Sequence, residues 1–292
     1  MLRAMDPAER IAFCRRLLAA PDLAGKLAPP DGPDPAPPAA LPAPTPAPEP
    51  EVARPPLRPM RGPGLEMTAG AARLPRPAAL ATPRARATAL ARFAHHELQA
   101  AELFAWAILR WPRVPEALAN GWLGVLADEQ RHARLYLERV EALGWSFASF
   151  APHSDYLWKP VAALDAAPDG PSAFLAAMGL TLEQANLDFS ALYRDAFAAA
   201  GDDRSAAVCA AVFEDEVGHV RLAASWLRRL RREASDAERY RAVVPAPLGL
   251  ARAKGRRFQT RARERAGLDA AFIEAVRSAR STQERRPGRH RD

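Results

Sequence analysis

Two short stretches bring together residue types that bind metal ions: Asp128-Glu129-Gln130-Arg131-His132 and Asp215-Glu216-Val217-Gly218-His219. Each is a Glu-x-x-His motif preceded by Asp. Residues three apart on a helix share a face, with Cβ atoms roughly 5–6 Å apart, so one carboxylate and one imidazole can reach the same ion. The longer pattern Asp-Glu-x-x-His-x-Arg-Leu spans 128–135 and recurs over 215–222.

Each motif has a partner carboxylate upstream. Glu97 lies 32 residues before Glu129, and Glu183 lies 33 before Glu216. Five residues beyond each partner stands another acid, Glu102 in one half and Asp188 in the other. With a rise of about 1.5 Å per residue, a hairpin of two helices returns such positions to the same height. Two hairpins related by pseudo-twofold symmetry then supply six ligands for two ions: Glu97, Glu129, His132, Glu183, Glu216 and His219. Carboxylate oxygens with imidazole nitrogens suit iron or manganese. Four carboxylates balance two divalent charges, and two of them can bridge ions about 3.5–4 Å apart. The expected cofactor is a pair of metal ions: iron, manganese or a mixed Fe/Mn pair.

Other groups are expected to support these ligands. Asp128 and Asp215 can each accept a hydrogen bond from the far nitrogen of a ligand imidazole, and Arg131 can pair with such an Asp. His96 points about 100° away from Glu97 on a helix and is read as a packing or supporting residue. Glu102 and Asp188 are read as ion-pairing or supporting groups. Gly218 stands where the first copy has Arg131, a difference that can open space beside one metal for oxygen or substrate.

The elements that must position these residues are four long helices. The first is expected from Pro83, capped by Thr82, to Trp111 before Pro112; the second from Pro115 to Leu143, ended by Gly144. A long connection over 144–170 follows, rich in aromatics. The third helix is expected from Pro171 to Gly201 and the fourth from Asp202 or Asp203 to Arg232. Hairpin, long crossover, hairpin is the connectivity of a ferritin-like four-helix bundle. The fold class expected is all-α, a ferritin-like bundle with N-terminal and C-terminal helical extensions. Trp106, Trp122 and Trp226 are read as core, and Tyr193 as either a wall of the site or packing. Tyr156 and Trp158, with His153 and Asp155, either roof the site or plug the bundle end.

The flanks divide by composition. A short helical segment over 1–27 opens with Asp6, Pro7 and Glu9, a capping box. A Pro/Ala-rich linker covers 28–63, the bundle 64–235, a basic helical extension 236–280 (with one helix over 248–266 and another over 269–280), and a disordered tail 281–292. Of 292 residues, 41 are Lys or Arg and 34 Asp or Glu, a net charge of +7. The charge is uneven: residues 221–292 carry +12 and the rest −5. A basic segment of this kind can bind RNA or another polyanion, although only three of the 41 basic residues are Lys, a bias that base composition alone can produce. No apolar run approaches the roughly 20 residues of a membrane span. The start of the chain reads as neither a signal nor a transit peptide, so a cytoplasmic protein is expected. Cys14 and Cys209 have no metal-ligand spacing and are read as ordinary thiols.

The stretch His95-His96-Glu97-Leu98-Gln99-Ala100-Ala101-Glu102-Leu103, the Asp-Glu-x-x-His motifs and Arg263-Glu264-Arg265-Ala266-Gly267-Leu268 resemble the uncharacterised ferritin-like family catalogued as domain of unknown function 455, over about residues 60–280. That resemblance implies the ferritin-like fold and the same six ligands, and no settled activity. More distantly, the arrangement is similar to the tRNA hydroxylase branch of di-iron monooxygenases. The function expected is a non-haem di-iron oxidoreductase of the hydroxylase or monooxygenase type, taking O2, an unknown substrate and electrons from an external donor. The alternatives are a ferroxidase or metal-handling protein, and an RNA-modifying hydroxylase that uses the basic C-terminal region.

Overall fold

The computed structural model describes residues 5–30, 54–70 and 73–280. The expected tail, 281–292, and most of the expected linker, 31–53, lie outside them. The described chain is all-α. Its helices are α1 (Pro7–Ala19), α2 (Leu23–Leu27), α3 (Pro83–Arg110), α4 (Glu116–Ala142), α5 (Val161–Asp165), α6 (Gly170–Ala177), α7 (Gln184–Ala199), α8 (Asp203–Leu230), α9 (Asp236–Val243), α10 (Thr260–Arg265) and α11 (Ala270–Ser278). Extended pairing among these residues is one two-residue parallel bridge, β1 (Met67–Thr68) with β2 (His153–Ser154). Among the described residues no helix is long and apolar enough to cross a membrane.

Local chemistry sets the helix ends. Asp6 accepts the Ala8 and Glu9 amides at 2.8 and 2.9 Å while Glu9 accepts the Asp6 amide at 3.2 Å, the expected capping box. Thr82 accepts the Ala85 amide, Asp169 that of Ser172 and Asp202 that of Ser205. Gly144 and Gly201 follow α4 and α7 with φ of 87° and 74°, the left-handed turn that only glycine adopts without strain.

The chain divides into two compact units, one of Met1–Arg73 with Ala91–Trp158, the other of Leu74–Leu90 with Lys159–Asp292; the division passes through α3. In the first unit α3 and α4 form an antiparallel hairpin. Phe93 meets Tyr136 at 5.3 Å between ring centroids, and near the connection Trp106 meets Trp111 edge-on at 5.2 Å. Trp106 and Trp122 are fully buried, as core. The buried face of α4 repeats every three or four residues, through Trp122, Leu126, Glu129, Ala133, Tyr136 and Val140, so the motif carboxylate points inward with the apolar stripe. The N-terminal helices are tied to this hairpin by polar contacts. Arg10 donates to Glu116 at 2.7 Å and to Asn120 at 2.9 Å, and Gln130 donates to the carbonyls of Lys26 and Ala28.

Glu102, wholly buried on α3, forms an ion pair with Lys26 Nζ at 2.8 Å and accepts from Arg61 Nη2 at 2.5 Å and Trp158 Nε1 at 3.2 Å. It thus anchors α2, the 54–63 stretch and the end of the crossover. The 54–63 stretch, inside the expected linker, is held in place where it is described: the Met60 amide donates to Leu18 O and the Gly62 amide to Pro21 O.

In the second unit α7 packs along α8. The third helix is expected as one continuous α-helix, but it is interrupted. A single π turn, Met178–Glu183, separates α6 from α7 and ends on Glu183. Thr181 Oγ1 donates to Ala176 O at 2.7 Å and accepts from the Tyr240 hydroxyl at 2.7 Å. A Cβ on Gly179 would stand 2.2 Å from Ala223 Cβ, so glycine is what lets this turn lie against α8. Tyr193 donates to Pro75 O at 2.5 Å, which assigns it to packing.

The basic extension departs from expectation. Over 248–266 the chain forms only a short 3-10 turn (Leu250–Arg252) and α10. Between them the backbone is captured by Asp188, which accepts the Gly255 amide at 2.8 Å and the Gln259 amide at 2.7 Å. Those amides would otherwise serve a helix. Asp188 also takes a two-pronged bond from Arg263, at 2.7 and 3.0 Å, with both side chains wholly buried.

Arg263→Met should therefore lower the unfolding free energy by about 3–5 kcal/mol, because a buried carboxylate loses its cation. Arg263→Lys should recover only part of this, since an ammonium cannot reproduce the fork. Urea unfolding of the three proteins decides it; a loss below about 1 kcal/mol for Arg263→Met would contradict the role given to this pair.

Candidate metal centre

Glu97 projects from α3, and Glu129 and His132 from successive turns of α4. All three are buried. One ligand atom from each lies within 4.8 Å of the other two. In the second unit Glu183 ends the π turn, and Glu216 and His219 come from α8. These three are also buried and satisfy the same 4.8 Å condition. The motif geometry is alike in both units: His132 Nδ1 is 3.4 Å from Glu129 Oε2, and His219 Nδ1 is 3.4 Å from Glu216 Oε2. There are thus two buried Glu/Glu/His clusters, each able to hold a metal ion.

The donor set fits a cation on physical grounds. Two carboxylates brought this close repel, and removal from water makes each anionic charge expensive. A divalent ion offsets both effects and matches the oxygen and nitrogen donors.

The expected pairing of Arg131 with Asp128 forms, on the outer face of α4. Asp128 and Arg131 form an ion pair at 2.9 Å in which both side chains are close to half exposed. Gly218 is exposed, with nothing within 4 Å of where a Cβ would stand. The Arg131/Gly218 difference is therefore one of the outer helix face, where Asp215 is half-buried. Within the clusters another asymmetry appears that the motif reading missed. Asn186 donates to Glu216 Oε1 at 2.7 Å. It stands three residues after Glu183, on the same helical face, where the first half has Ala100 three after Glu97. That offset was its signal in the sequence.

Glu102 and Asp188 form buried ion pairs that anchor appended segments, the ion-pairing role expected for them. The residues just before Glu97 serve the crossover. Phe147, His153 and His95 stack at 4.3 and 4.4 Å between centroids. Arg92 Nη1 lies 3.1 Å from His153 Nδ1; a guanidinium only donates, so Nδ1 accepts and the neutral ring carries its proton on Nε2. Gln99 Nε2 faces His95 Nδ1 at 2.9 Å, while its oxygen accepts the Leu157 amide. His96 is half-buried, 6.3 Å from the Tyr156 ring; burial, then Arg92, pushes it down to about 4. His153, Leu157 and Trp158 thus lie on α3 against His95, Gln99 and Glu102, the turns that flank Glu97.

A family model described as "Protein of unknown function (DUF455)" matches residues 5–274. No curated protein matches the chain, and no solved structure matches it.

Burial, then Arg92 and Arg61, pushes His153 down to about 3, against about 6.5 in an unfolded chain. Between these values the unfolded chain binds a proton that the fold does not. The stability from neutral His153 is then fully present above about pH 6.5 and lost as pH falls, by about 1.4 kcal/mol per pH unit. His153→Phe should flatten this slope by that amount in urea titrations of metal-free protein at pH 7.0, 5.5 and 4.5. An unchanged slope would contradict the neutral, buried imidazole.

Proposed function

The chain belongs to the DUF455 family of proteins of unknown function, and we propose that it is a dinuclear-metal oxidoreductase that uses O2 to hydroxylate or otherwise oxidise an organic substrate. The observation that carries this reading is the repetition of one buried Glu/Glu/His cluster in two helical hairpins, each with the same 3.4 Å contact inside its Glu-x-x-His motif. In this reading residues 64–235 form a ferritin-like four-helix bundle. Glu97, Glu129, His132, Glu183, Glu216 and His219 are then the ligands of one pair of iron ions, or of a manganese or mixed pair.

The bound pair would supply redox chemistry toward O2. The chain's own residues prepare for it. Glu129 and Glu216 hold their oxygens beside the imidazoles of His132 and His219. Asn186 fixes one oxygen of Glu216 and leaves the other facing His219. Nothing equivalent restrains the first cluster from position 100, an alanine, so the two metals would differ in ligand freedom. The crossover and the anchored extensions keep water from α3 and α7 around the ligand positions. Electrons would come from a separate donor, since the sequence holds no flavin, nicotinamide or iron–sulfur motif.

The rival readings find less support. Ferroxidation would use the same ligands, but a storage role would leave the anchored extensions without a purpose. For RNA binding, part of the basic charge of the C-terminal region is already paired within the chain. Arg263 is taken by Asp188, Arg257 by Asp195, Arg265 by Glu214 and Arg228 by Asp236.

Protein expressed with iron should carry close to two metal ions per chain, counted by mass spectrometry. Glu129→Ala and Glu216→Ala should each lose at least one. With a chemical reductant the wild type should consume O2 catalytically and build no mineral core. Absence of stoichiometric metal, or retention of both ions in either variant, would sink the assignment. A load of many irons per chain would favour storage.

A further inference from the structure

The first unit contains a cavity of about 760 Å³ that no part of the metal reading uses. This volume lies within the range of small-molecule sites, roughly 300–1,000 Å³. Its lining includes apolar side chains, Leu18 of α1, Met60 and Leu109 of α3, and the cations Arg15, Arg58 and Arg61. Arg54 also lines it, and Glu66 is the single carboxylate of the lining. Leu109 lies twelve residues beyond Glu97, about 18 Å along the axis of α3. Arg61, also in the lining, is bound to Glu102, five residues and about 7.5 Å of rise beyond Glu97; no lining residue is one of the six proposed ligands, so the chemistry of the cavity does not require the metal assignment.

The charge of the lining is mainly positive, with Arg61 as its buried backing and Arg15 and Arg58 as its accessible cations. The Arg61 side chain is only 6 % exposed and is held by Glu102 through Nη2. Its Nε and Nη1 have no acceptor among the described residues but are closed off from solvent, so Arg61 contributes its charge to the cavity wall rather than an open donor. A guanidinium offers donors in a fixed fork that matches carboxylate and phosphate oxygens. Arg58 is two-thirds exposed and only weakly engaged, 3.5 Å from Asp155. Arg15 is exposed on the neighbouring turn of α1. Beside these charges, Met60 (58 % exposed) and Leu57 (49 %) leave apolar surface in water. An anionic rim partner alone would not use the apolar side chains, and an apolar ligand alone would not use the arginines.

We propose that this cavity binds a small amphiphile, one anionic head group on an aliphatic chain, with the head on Arg15 and Arg58, backed by the charge of Arg61, and the chain against Leu18, Met60 and Leu109. The head is a carboxylate or a phosphate, both of which the arginine fork accepts.

Calorimetric titration of the full chain tests this with three ten-carbon probes used as monomers: decanoate, decyl phosphate and decyltrimethylammonium. One of the anions at least should bind saturably at one per chain, and the cation should not; the tighter anion identifies the head group. Arg15→Glu with Arg58→Glu should weaken that binding at least tenfold. Met60→Asp should weaken it as well, through the chain. All three substituted positions are exposed, so the melting temperature without ligand checks that folding is retained. Equal binding of the cation, or undiminished binding by the folded arginine double variant, would overturn the site. So would attachment to anionic phospholipid vesicles with no binding of monomeric probe, which would assign the patch to a membrane surface. None of these measurements needs metal, so they remain interpretable if the chain binds none.

Discussion

A carboxylate removed from water needs a positive partner, and the placement of two such carboxylates organises this chain. Glu102 and Asp188 each stand five residues beyond a partner glutamate of a Glu-x-x-His motif, and each is wholly buried. Glu102 draws in Lys26, Arg61 and Trp158; Asp188 draws in Arg263 and two backbone amides. Removing either acid would strand buried cations, and removing the cations would strand the acid. The extensions are thus fixed to the same helices that present Glu97 and Glu183. The same rule, applied to the two Glu/Glu/His clusters, points to a metal ion.

The two halves repeat this logic without repeating its details. Position −2 from the partner glutamate also receives an appended element in each: His95 stacks on His153 of the crossover, and Thr181 accepts from Tyr240 of α9. Yet α3 runs unbroken through Glu97, while Glu183 sits at the end of a π turn that Gly179 allows to lie close against α8. Asn186 restrains Glu216, and Ala100 can restrain nothing. Internal symmetry supplies two similar clusters; these departures make them chemically distinct, as two metals with different roles would require.

Much of this was legible in the residues. Helix starts at Pro7, Pro83 and Asp203 follow from local capping chemistry, which acts over three or four residues and is written in adjacent letters. Burial of Glu129, His132, Glu216 and His219 follows from their phase on amphipathic helices. What escaped was non-local. The π turn of the third helix lies against Ala223, more than forty residues away, and bonds Tyr240 beyond it, contacts that no local pattern announces. The expected helix over 248–266 gives way because Asp188 competes for its amides from across the fold. The 54–63 stretch, proline-rich and expected to be extended, is ordered by a glutamate on α3 and by carbonyls of α1 and the turn after it.

The sequence by itself determined which residues have the chemistry of a metal site and that each Glu-x-x-His pair shares a helical face, because a helix relates neighbours by a constant rotation and rise. It also determined, through repetition at matched spacings, that two such clusters exist. Only the tertiary structure decided which cations Glu102 and Asp188 bind, and that the Arg131/Gly218 difference faces outward while Asn186 bonds Glu216. Those outcomes depend on which distant cation or amide reaches a buried oxygen first, and no local periodicity encodes that competition.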